Sequence, residues 1–287
     1  MISVVIPAFD EEAAIADTVR RIGEVLVASG EQGYEIIVVD DGSTDRTGEI
    51  AAAHGARVLR KLQNLGYGNS LKLGIRAALH DTIVITDADG TYPIDSIPVL
   101  LAKYREGYHM VVGARTGEHY RESLIKSPLR RMLKWLVEFT AGRRIPDINS
   151  GLRVFSKADS IPFFDHLCDG FSFTTSITLG YMLRMKYVEY LPIPYHKRIG
   201  RTKVRLVRDS LRTLQFIVQA ILYYNPMKIF LVLAMLTAGI GIVMVFAGFF
   251  FHLITAALLG VGGILAAVVV FALGLLGELL RQIWVKE

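Results

Sequence analysis

Charged residues are missing from one long stretch of this 287-residue chain, and cysteine is almost missing from all of it. None of the residues from Ile229 to Gly277 is Asp, Glu, Lys or Arg, although 21% of the chain is charged. Cys168 stands alone, which excludes an intrachain disulfide and a multi-cysteine zinc site and fits a reducing cytoplasm. The first predicted strand is not followed by Gly-x-Gly-x-x-Gly, and a Walker loop is absent, so a dinucleotide oxidoreductase is disfavoured.

The charge-free stretch predicts two membrane-spanning helices, Ile229–Phe250 and Ile254–Leu276, joined by a turn near His252. About 20 apolar residues suffice for one span. The alternative is a pair of helices buried in a soluble core, but such helices usually carry a polar stripe. Lys and Arg flank the two spans and are absent from the turn, so both termini are expected to be cytoplasmic. Glycines along the spans would allow close packing within the hairpin or between subunits, which leaves a homo-oligomer open.

The residues before these spans predict an α/β domain, because short apolar runs alternate with helical patterns. The predicted strands are Val4–Ile6, Glu35–Val39, Ala56–Leu59, Thr82–Thr86 and Met110–Val112, and the predicted helices are Glu11–Ser29, Arg46–His54, Tyr67–Leu79 and Ile94–Tyr104. The expected organisation is an α/β domain over residues 1–195, a basic loop and juxtamembrane amphipathic helix over 196–226, and a transmembrane hairpin with a short tail over 227–287.

Two carboxylates follow directly on one of the predicted strands. Asp87 and Asp89 come after the apolar run Thr82–Thr86, and residues two apart on an extended chain point to the same side. Mg and Mn favour such oxygen ligands, and Mg is usually shared with substrate phosphates. The alternative is an Asp that merely caps a turn. The pair therefore predicts either a turn or a site for a metal-bound diphosphate.

Acidic residues also follow the first two predicted strands, in Pro7–Glu12 and Asp40–Ser43. The carboxyl ends of the strands of such a sheet share one edge, where ligands bind. Carboxylates gathered there repel one another unless a cation is held among them. The convergence therefore favours the metal site over the turn cap.

Basic residues concentrate in two segments near the predicted membrane hairpin. The first also carries Trp135 and Phe139, and a solvated helix face is its alternative reading. The second precedes an amphipathic helix that extends to Ile221 and is expected to lie on the membrane, or else to pack as an ordinary surface helix. The net charge of +5 suits an anionic membrane or substrate, and nucleic acid is a less favoured partner. The basic residues are Arg121, Lys126, Arg130, Arg131, Lys134, Arg143 and Arg144, and then Lys197, Arg198, Arg201 and Lys203.

Three segments in order resemble glycosyltransferase family 2, and within it the polyprenyl-phosphate sugar transferases of the dolichol-phosphate mannose synthase type. They are Ser3–Glu12, Val39–Asp45 and Asp87–Asp89. The resemblance implies a GT-A-type doubly wound mixed sheet, with Asp87 and Asp89 binding Mg or Mn and the diphosphate. The donor-binding residues that it implies are Pro7, Ala8, Phe9, Glu11, Asp40, Asp41, Asp87, Ala88 and Asp89.

Further segments are similar to those that carry acceptor-phosphate residues in the lipid-phosphate enzymes: Val112–Arg115, Arg130–Arg131 and Arg198–Lys203. The residues implied to bind the acceptor phosphate are Arg115, Arg130, Arg131, Arg201 and Lys203. Thr91 stands where the mannose synthases often carry Gln, and Arg201 replaces an acidic residue, so the sugar stays open. The Gln-x-x-Arg-Trp signature of processive polysaccharide synthases is missing.

The predicted reaction is inverting transfer of one sugar from a nucleotide diphosphate-sugar, such as GDP-mannose or UDP-glucose, to a polyprenyl phosphate at the bilayer. Asp87, Asp89, Arg115 and Arg131 are the predicted catalytic residues. A phosphate monoester is already ionised near neutral pH, so this acceptor needs no general base. The alternatives are a hydroxyl-bearing lipid or glycan acceptor, with Asp147 as base, a nucleotidyltransferase, and a non-catalytic membrane scaffold. The phosphate loop of a nucleotidyltransferase is not found, and a scaffold would not explain the acidic loops.

Overall fold

The computed structural model of the protein describes residues 1–117, 128–196 and 206–284. The chain divides into two units, Met1–Ile217 and Val218–Glu287. This division falls inside helix Leu206–Tyr224, which covers the predicted amphipathic segment. The domain boundaries at residues 195 and 226 therefore stay predictions.

The first unit is built on a mixed sheet of seven strands in the order β3-β2-β1-β4-β6-β5-β7. Strand β6 runs antiparallel to its neighbours β4 and β5, and every other pairing is parallel. All five predicted strands are present. The strands are β1 Ile2–Ala8, β2 Tyr34–Asp40, β3 Arg57–Arg60, β4 Thr82–Ile85, β5 Met110–Thr116, β6 Arg153–Ser156 and β7 Val188–Pro194.

Helices cover both faces of this sheet, and a further two form the second unit. Each predicted helix is present, although the first begins at Ile15 because Glu11 to Ala14 form a turn closed by the Glu11 carbonyl. The helices are α1 Ile15–Ala28, α2 Thr47–Ala53, α3 Tyr67–Ala77, α4 Ile97–Tyr104, α5 Pro128–Ala141, α6 Lys157–Ser160, α7 Phe173–Leu183, α8 Leu206–Tyr224, α9 Pro226–Phe250 and α10 Ile254–Trp284. Short 3-10 turns span Ile94–Ser96 and Ile161–His166.

The pattern of side chains explains why α1 and α3 lie against the sheet. In α1 the residues that recur every three or four positions are buried, including Ile15, Val19 and Ile22. In α3 the close approach depends on Gly74, because a Cβ there would lie 2.4 Å from a methyl of Val5 on β1. The β-branched residues of the central strands fill the core beneath both helices.

The register of the central strands brings three loops to one edge of the sheet. Ala8 at the end of β1 pairs with Asp40 at the end of β2. Val5 pairs with Ile85, so the residues that follow β4 are level with the last residues of β1. The loops after β1, β2 and β4 therefore emerge side by side, as the sequence predicts.

The second unit contains an antiparallel helical hairpin. Helices α9 and α10 are both long and apolar enough to cross a membrane, and few of their side chains are buried. Glycines bring the helices together: a Cβ on Gly248 would lie 2.5 Å from the Ala257 nitrogen, and one on Gly241 2.7 Å from the Gly260 carbonyl. The α9 helix alone is about 37 Å long, against a bilayer core of about 30 Å. Each of the two helices could therefore cross a membrane.

Candidate active site

A cavity of about 310 Å³ opens where the loops after β1, β2 and β4 meet. Its wall contains eight of the nine predicted donor-binding residues: Pro7, Ala8, Phe9, Glu11, Asp41, Asp87, Ala88 and Asp89. The structure adds Asn64, Gly66, Tyr67, Ser70 and Phe171, which sequence reasoning did not single out. The signal that could have found part of this set is Gly66-Tyr67-Gly68, a glycine-rich start of α3 beside the sheet edge.

The Asp87 carboxylate is held between two elements. The Tyr67 hydroxyl, at the start of α3, donates a hydrogen bond of 2.8 Å to Asp87 Oδ1. Gly151 is also close, because a Cβ there would come within 2.7 Å of Oδ1 and 2.9 Å of Oδ2. Burial and the nearby Asp87 charge raise the pKa of Tyr67 well above its usual value, so this phenol stays a donor. The orientation of Asp87 is thus set by its neighbours before any ligand binds.

Asp89 is fixed by the residue two positions further along the chain. The backbone N–H and the hydroxyl of Thr91 both donate to Asp89 Oδ1, at 3.1 Å and 2.6 Å. Both residues are buried, yet Asp89 still reaches the cavity wall. Thr91, noted as a departure from the mannose synthases, thus contacts the neighbouring carboxylate.

Most acids of the first two loops bind the loops to each other. Asp10 adopts a φ of 48° and accepts a 2.8 Å hydrogen bond from the Thr44 N–H, while its own N–H donates to the Ser43 hydroxyl. The Asp45 carboxylate accepts from the Glu12 N–H at 3.2 Å. These carboxylates are balanced by N–H and hydroxyl donors, so their proximity does not require a cation. The acids of these two loops therefore do not by themselves argue for a metal.

Asp41 lines the cavity but is engaged by the wall itself. Its carboxylate accepts 2.9 Å hydrogen bonds from the backbone N–H groups of Leu65 and Gly66 and forms a 2.5 Å ion pair with buried Lys61. These contacts hold the loop before α3 against the end of β2. Asp41 therefore shapes the cavity through this loop.

Asp40 is the predicted donor-binding residue that does not line the cavity. Successive side chains of a strand alternate, so Asp41 faces the cavity and Asp40 faces α2. Its Oδ1 accepts from the Ser43 N–H at 2.9 Å, and Oδ2 packs against Gly48 and lies 3.7 Å from Arg60. The contact with the nucleotide that the resemblance implies for Asp40 stays a prediction.

Arg115 at the end of β5 forms a bidentate ion pair with Asp147. Arg115 Nε and Nη2 donate to the two carboxylate oxygens at 2.7 Å and 2.9 Å, and the guanidinium also lies over the Tyr195 ring. Burial alone would raise the pKa of Asp147, but the adjacent Arg115 charge lowers it below its usual value. Burial opposes the charge of Arg115 as well, yet Tyr92 and Asp147 hold the pKa of Arg115 above its usual value. Asp147 is therefore a poor general base.

The turn that contains Asp147 and Gly151 is supported from below by a buried arginine. Arg153, with no exposed surface, donates to the carbonyls of Ser150 and Ile148 at 2.7 Å and 3.2 Å and to the Thr178 hydroxyl. Burial lowers the pKa of Arg153. The cost of burying this charge is offset by these acceptors. Arg153 thereby keeps the turn against Asp87.

Of the predicted acceptor residues, the structure describes the side chains of Arg115 and Arg131, and neither lines this cavity. Arg131 is exposed on α5, one turn before the stacked rings of Trp135 and Phe139. The side chain of Arg130, and the residues Arg201 and Lys203, lie outside the part of the chain that the structure describes.

Metal-binding capacity at the cavity rests on the paired carboxylates. Within residues 1–117, 128–196 and 206–284, no group of three or more His, Cys, Asp and Glu side chains is arranged to hold a metal ion. Asp87 and Asp89 supply hard oxygen donors on one wall. They suit a cation that takes its other ligands from substrate phosphate and water.

The first unit is similar to solved structures of glucosyl-3-phosphoglycerate synthase from Mycobacterium tuberculosis. The complex with Mn²⁺, UDP and glucosyl-3-phosphoglycerate is 24% identical, covers 77% of this chain and 79% of that chain, and has a TM-score of 0.64. A complex with Mg²⁺ and UDP has a TM-score of 0.63 and 23% identity, with the same coverage. These similarities confirm the GT-A-like fold.

Curated relatives extend the comparison to the second unit. The low-salt glycan biosynthesis hexosyltransferase Agl6 of Haloferax volcanii is 31% identical over 290 residues, covering 96% of this chain and 67% of the relative. The undecaprenyl-phosphate 4-deoxy-4-formamido-L-arabinose transferase of Klebsiella pneumoniae is 32% identical over 162 residues, which is 54% of this chain. The matched part spans about half of that relative, 49% of its length.

The family itself is identified by the segment that forms the sheet and the cavity. Residues 3–175, more than half of the chain, match the family described as glycosyl transferase family 2. This segment contains all three motifs on which the resemblance rests. The chain therefore belongs to glycosyl transferase family 2.

Proposed function

We propose that this protein transfers one sugar, with inversion, from a nucleotide diphosphate-sugar to a polyprenyl phosphate at a membrane surface. The observation that carries the proposal is the placement of Asp87 and Asp89 on one cavity wall beside the loop after β1. The Klebsiella relative, whose name specifies undecaprenyl phosphate, supports this class of acceptor.

In this proposal Asp87 and Asp89 hold Mg or Mn together with the donor diphosphate. The cation supplies charge stabilisation to the leaving diphosphate. The protein contributes two carboxylates whose orientations are fixed by Tyr67 and Thr91. Preorganised ligands of this kind act without reorganisation during the reaction. Pro7, Ala8, Phe9, Glu11 and Asp41 are proposed to contact the nucleotide.

The state of Asp147 favours a phosphate acceptor over a hydroxyl acceptor. A hydroxyl must lose a proton, and the base proposed for that role is Asp147. Its carboxylate is bound on both oxygens by Arg115, and its lowered pKa weakens it as a base. A phosphate monoester, with a second pKa of about 6, brings its own negative charge. The reaction with this acceptor needs positioning rather than deprotonation.

Positioning of the acceptor phosphate is proposed for Arg115, Arg130, Arg131, Arg201 and Lys203. A guanidinium group offers planar, permanently charged donors that match phosphate oxygens. Arg131 is exposed and accessible to a ligand. Arg115 already donates to Asp147, so its role would combine holding the turn with attracting the phosphate.

The hairpin of α9 and α10 supports a membrane location. In unit Val218–Glu287 the start of α9 lies beside the end of α10, since Pro226 is the nearest neighbour of Gly277. Both ends of the hairpin are therefore on one side. The Lys and Arg residues at these ends favour the cytoplasmic side, and we propose that the transferase domain is cytoplasmic as well.

The proposal is tested with membranes containing the full chain, a panel of radiolabelled nucleotide sugars, and Mg or Mn. One arm receives polyprenyl phosphate and a matched arm receives the unphosphorylated polyprenol. We expect a labelled lipid that mild acid hydrolyses, formed only in the phosphate arm. Asp17→Asn, an exposed change on α1, serves as the control for Asp89→Asn. Equal labelling of polyprenol, or labelling by Asp89→Asn at the control rate, would contradict the proposal.

A further inference from the structure

Tyr67 has a position in the cavity that the proposed reaction does not yet use. It is the first residue of α3, it lines the wall beside Asp87 and Asp89, and its hydroxyl donates to Asp87 Oδ1 at 2.8 Å. A carboxylate accepting this bond cannot rotate without losing it. The side chain that sets the angle of Asp87 thus comes from a helix 20 residues earlier in the chain.

The ring of Tyr67 is itself rigidly placed. It stacks on Phe171 with ring centroids 5.7 Å apart and planes inclined by 23°. Phe171 belongs to the loop before α7, and this loop is tied to α3, since the Asn69 N–H donates to the Asp169 carbonyl at 2.9 Å. These contacts therefore fix the position of the Tyr67 hydroxyl.

Two glycines allow the start of α3 to pack closely against the loop before α7. A Cβ on Gly66 would lie 2.6 Å from the Asp169 carbonyl oxygen, and a Cβ on Gly68 only 2.2 Å from that of Cys168. Lys72, one turn further along α3, donates to the Leu167 carbonyl at 2.6 Å. The start of α3 and the loop before α7 are consequently packed backbone to backbone.

Gly151 also lies close to this carboxylate, because a Cβ there would come within 2.7 Å of Oδ1 and 2.9 Å of Oδ2. Gly151 is held in turn by its N–H, which donates to the Tyr92 hydroxyl at 2.6 Å. The Asp87 carboxylate is therefore contacted by the Tyr67 hydroxyl and crowded by Gly151. Loss of the Tyr67 hydroxyl would remove the hydrogen bond that restricts rotation of the Asp87 carboxylate.

We propose that Tyr67 is a positioning residue for the donor site, which holds the Asp87 carboxylate in the orientation that binds the metal and the diphosphate. The inference rests on the proposed function. Groups that hydrogen-bond to a metal ligand typically contribute about 10–100-fold to metal affinity or activity. The stacking of Tyr67 on Phe171 does not need the hydroxyl, so Tyr67→Phe removes the bond to Asp87 and keeps the ring.

The test compares Tyr67→Phe with Tyr181→Phe in the purified full-length protein. Tyr181 is a buried tyrosine of α7 whose hydroxyl has no hydrogen-bond partner among the residues that the structure describes, so the same chemical change there breaks no described hydrogen bond. Mn²⁺ binding is measured by electron paramagnetic resonance in the presence of UDP and, separately, of GDP. We expect Tyr67→Phe to weaken Mn²⁺ binding about tenfold with little change in melting temperature, and Tyr181→Phe to match wild type.

Three results would overturn the inference, and they are distinguishable. Wild-type Mn²⁺ affinity in Tyr67→Phe would remove the positioning role while leaving the metal site of the proposed function intact. Absence of Mn²⁺ binding by the wild-type protein with either nucleotide would contradict the metal site itself. A lower melting temperature together with weaker Mn²⁺ binding in both tyrosine variants would assign the effect to folding.

Discussion

Two groups of acidic residues meet at one edge of the sheet, and the protein uses them in different ways. Asp10, Glu12 and Asp45 join the loops after β1 and β2 through backbone N–H and hydroxyl donors. Asp87 and Asp89 line the cavity, each with a carboxylate oriented by one neighbouring hydroxyl. The difference teaches that acidic composition locates this edge, whereas the donors around each carboxylate decide its role.

The largest expected effect comes from the cavity group. Asp89→Asn keeps the shape of the side chain and removes the charge that a cation requires. We expect the rate of sugar transfer to fall about 10³-fold or more, since metal stabilisation of a leaving group is worth several kcal/mol. The rate is measured with membranes and a labelled donor. A transfer rate within tenfold of wild type would contradict the distinction between the acids of the cavity and those of the loops.

The next effect sharpens the comparison without touching a charge. Gly151→Ala places a Cβ 2.7 Å from Asp87 Oδ1, so the carboxylate must move. A displacement of about 1 Å at a catalytic group can cost about 10²-fold, which is the loss of transfer rate that we expect. Gly262→Ala is the control, because a Cβ there meets nothing within 4 Å. Equal rates for both variants would show that the position of Asp87 is unimportant.

Substitution of Asp147 tests whether this acid acts as a base or only holds Arg115. Arg115 lowers the folded-state pKa of Asp147, so the ion pair is intact at neutral pH and its stabilisation is lost only as the pH falls through that lowered pKa. We expect Asp147→Asn to reduce the rate about tenfold by loosening Arg115, while the pH profile with polyprenyl phosphate keeps its inflection near the acceptor pKa of about 6. Loss of the inflection in the variant would make Asp147 the base.

The smallest effect on catalysis is expected from the loop group. Asp10→Ala removes the bonds to Thr44 and leaves a φ of 48° without a favourable side chain, which should cost about 1–2 kcal/mol of stability. Asp10→Asn keeps an acceptor and tolerates this φ. We expect the melting temperature of Asp10→Ala to fall by about 2–4 °C per kcal/mol and that of Asp10→Asn to stay near wild type. A large loss of Mn²⁺ binding in either variant would place Asp10 in the cavity group.

Much of the fold follows from local patterns in the sequence. The runs Val4–Ile6 and Thr82–Thr86 are β-branched and apolar, so strands were predictable, as was the meeting of the loops that follow them. The charge-free stretch likewise predicted the helices α9 and α10. The boundary at Ile15 was less predictable, because the turn before it is closed by backbone bonds that any sequence can form.

The details of the site depend on contacts between residues far apart in the chain. Tyr67 meets Asp87 and Phe171 only once α3 packs against the loop before α7, and no local pattern encodes that meeting. The pairing of Arg115 with Asp147, 32 residues apart, was equally invisible, so Asp147 could be read as a base. Asp40 and Asp41 face opposite sides because side chains alternate along a strand. The sequence contains this alternation, but the motif treats the two residues alike.

The most direct test of this division is Mn²⁺-dependent nucleotide binding by wild type, Asp89→Asn and Asp45→Asn. Calorimetry with UDP and with GDP, with and without Mn²⁺, reports the site without requiring the correct sugar or lipid. We expect Mn²⁺-dependent binding of at least one nucleotide by wild type and by Asp45→Asn, and its loss in Asp89→Asn. Mn²⁺-dependent binding that survives in Asp89→Asn and disappears in Asp45→Asn would contradict the assignment of the two groups of acids.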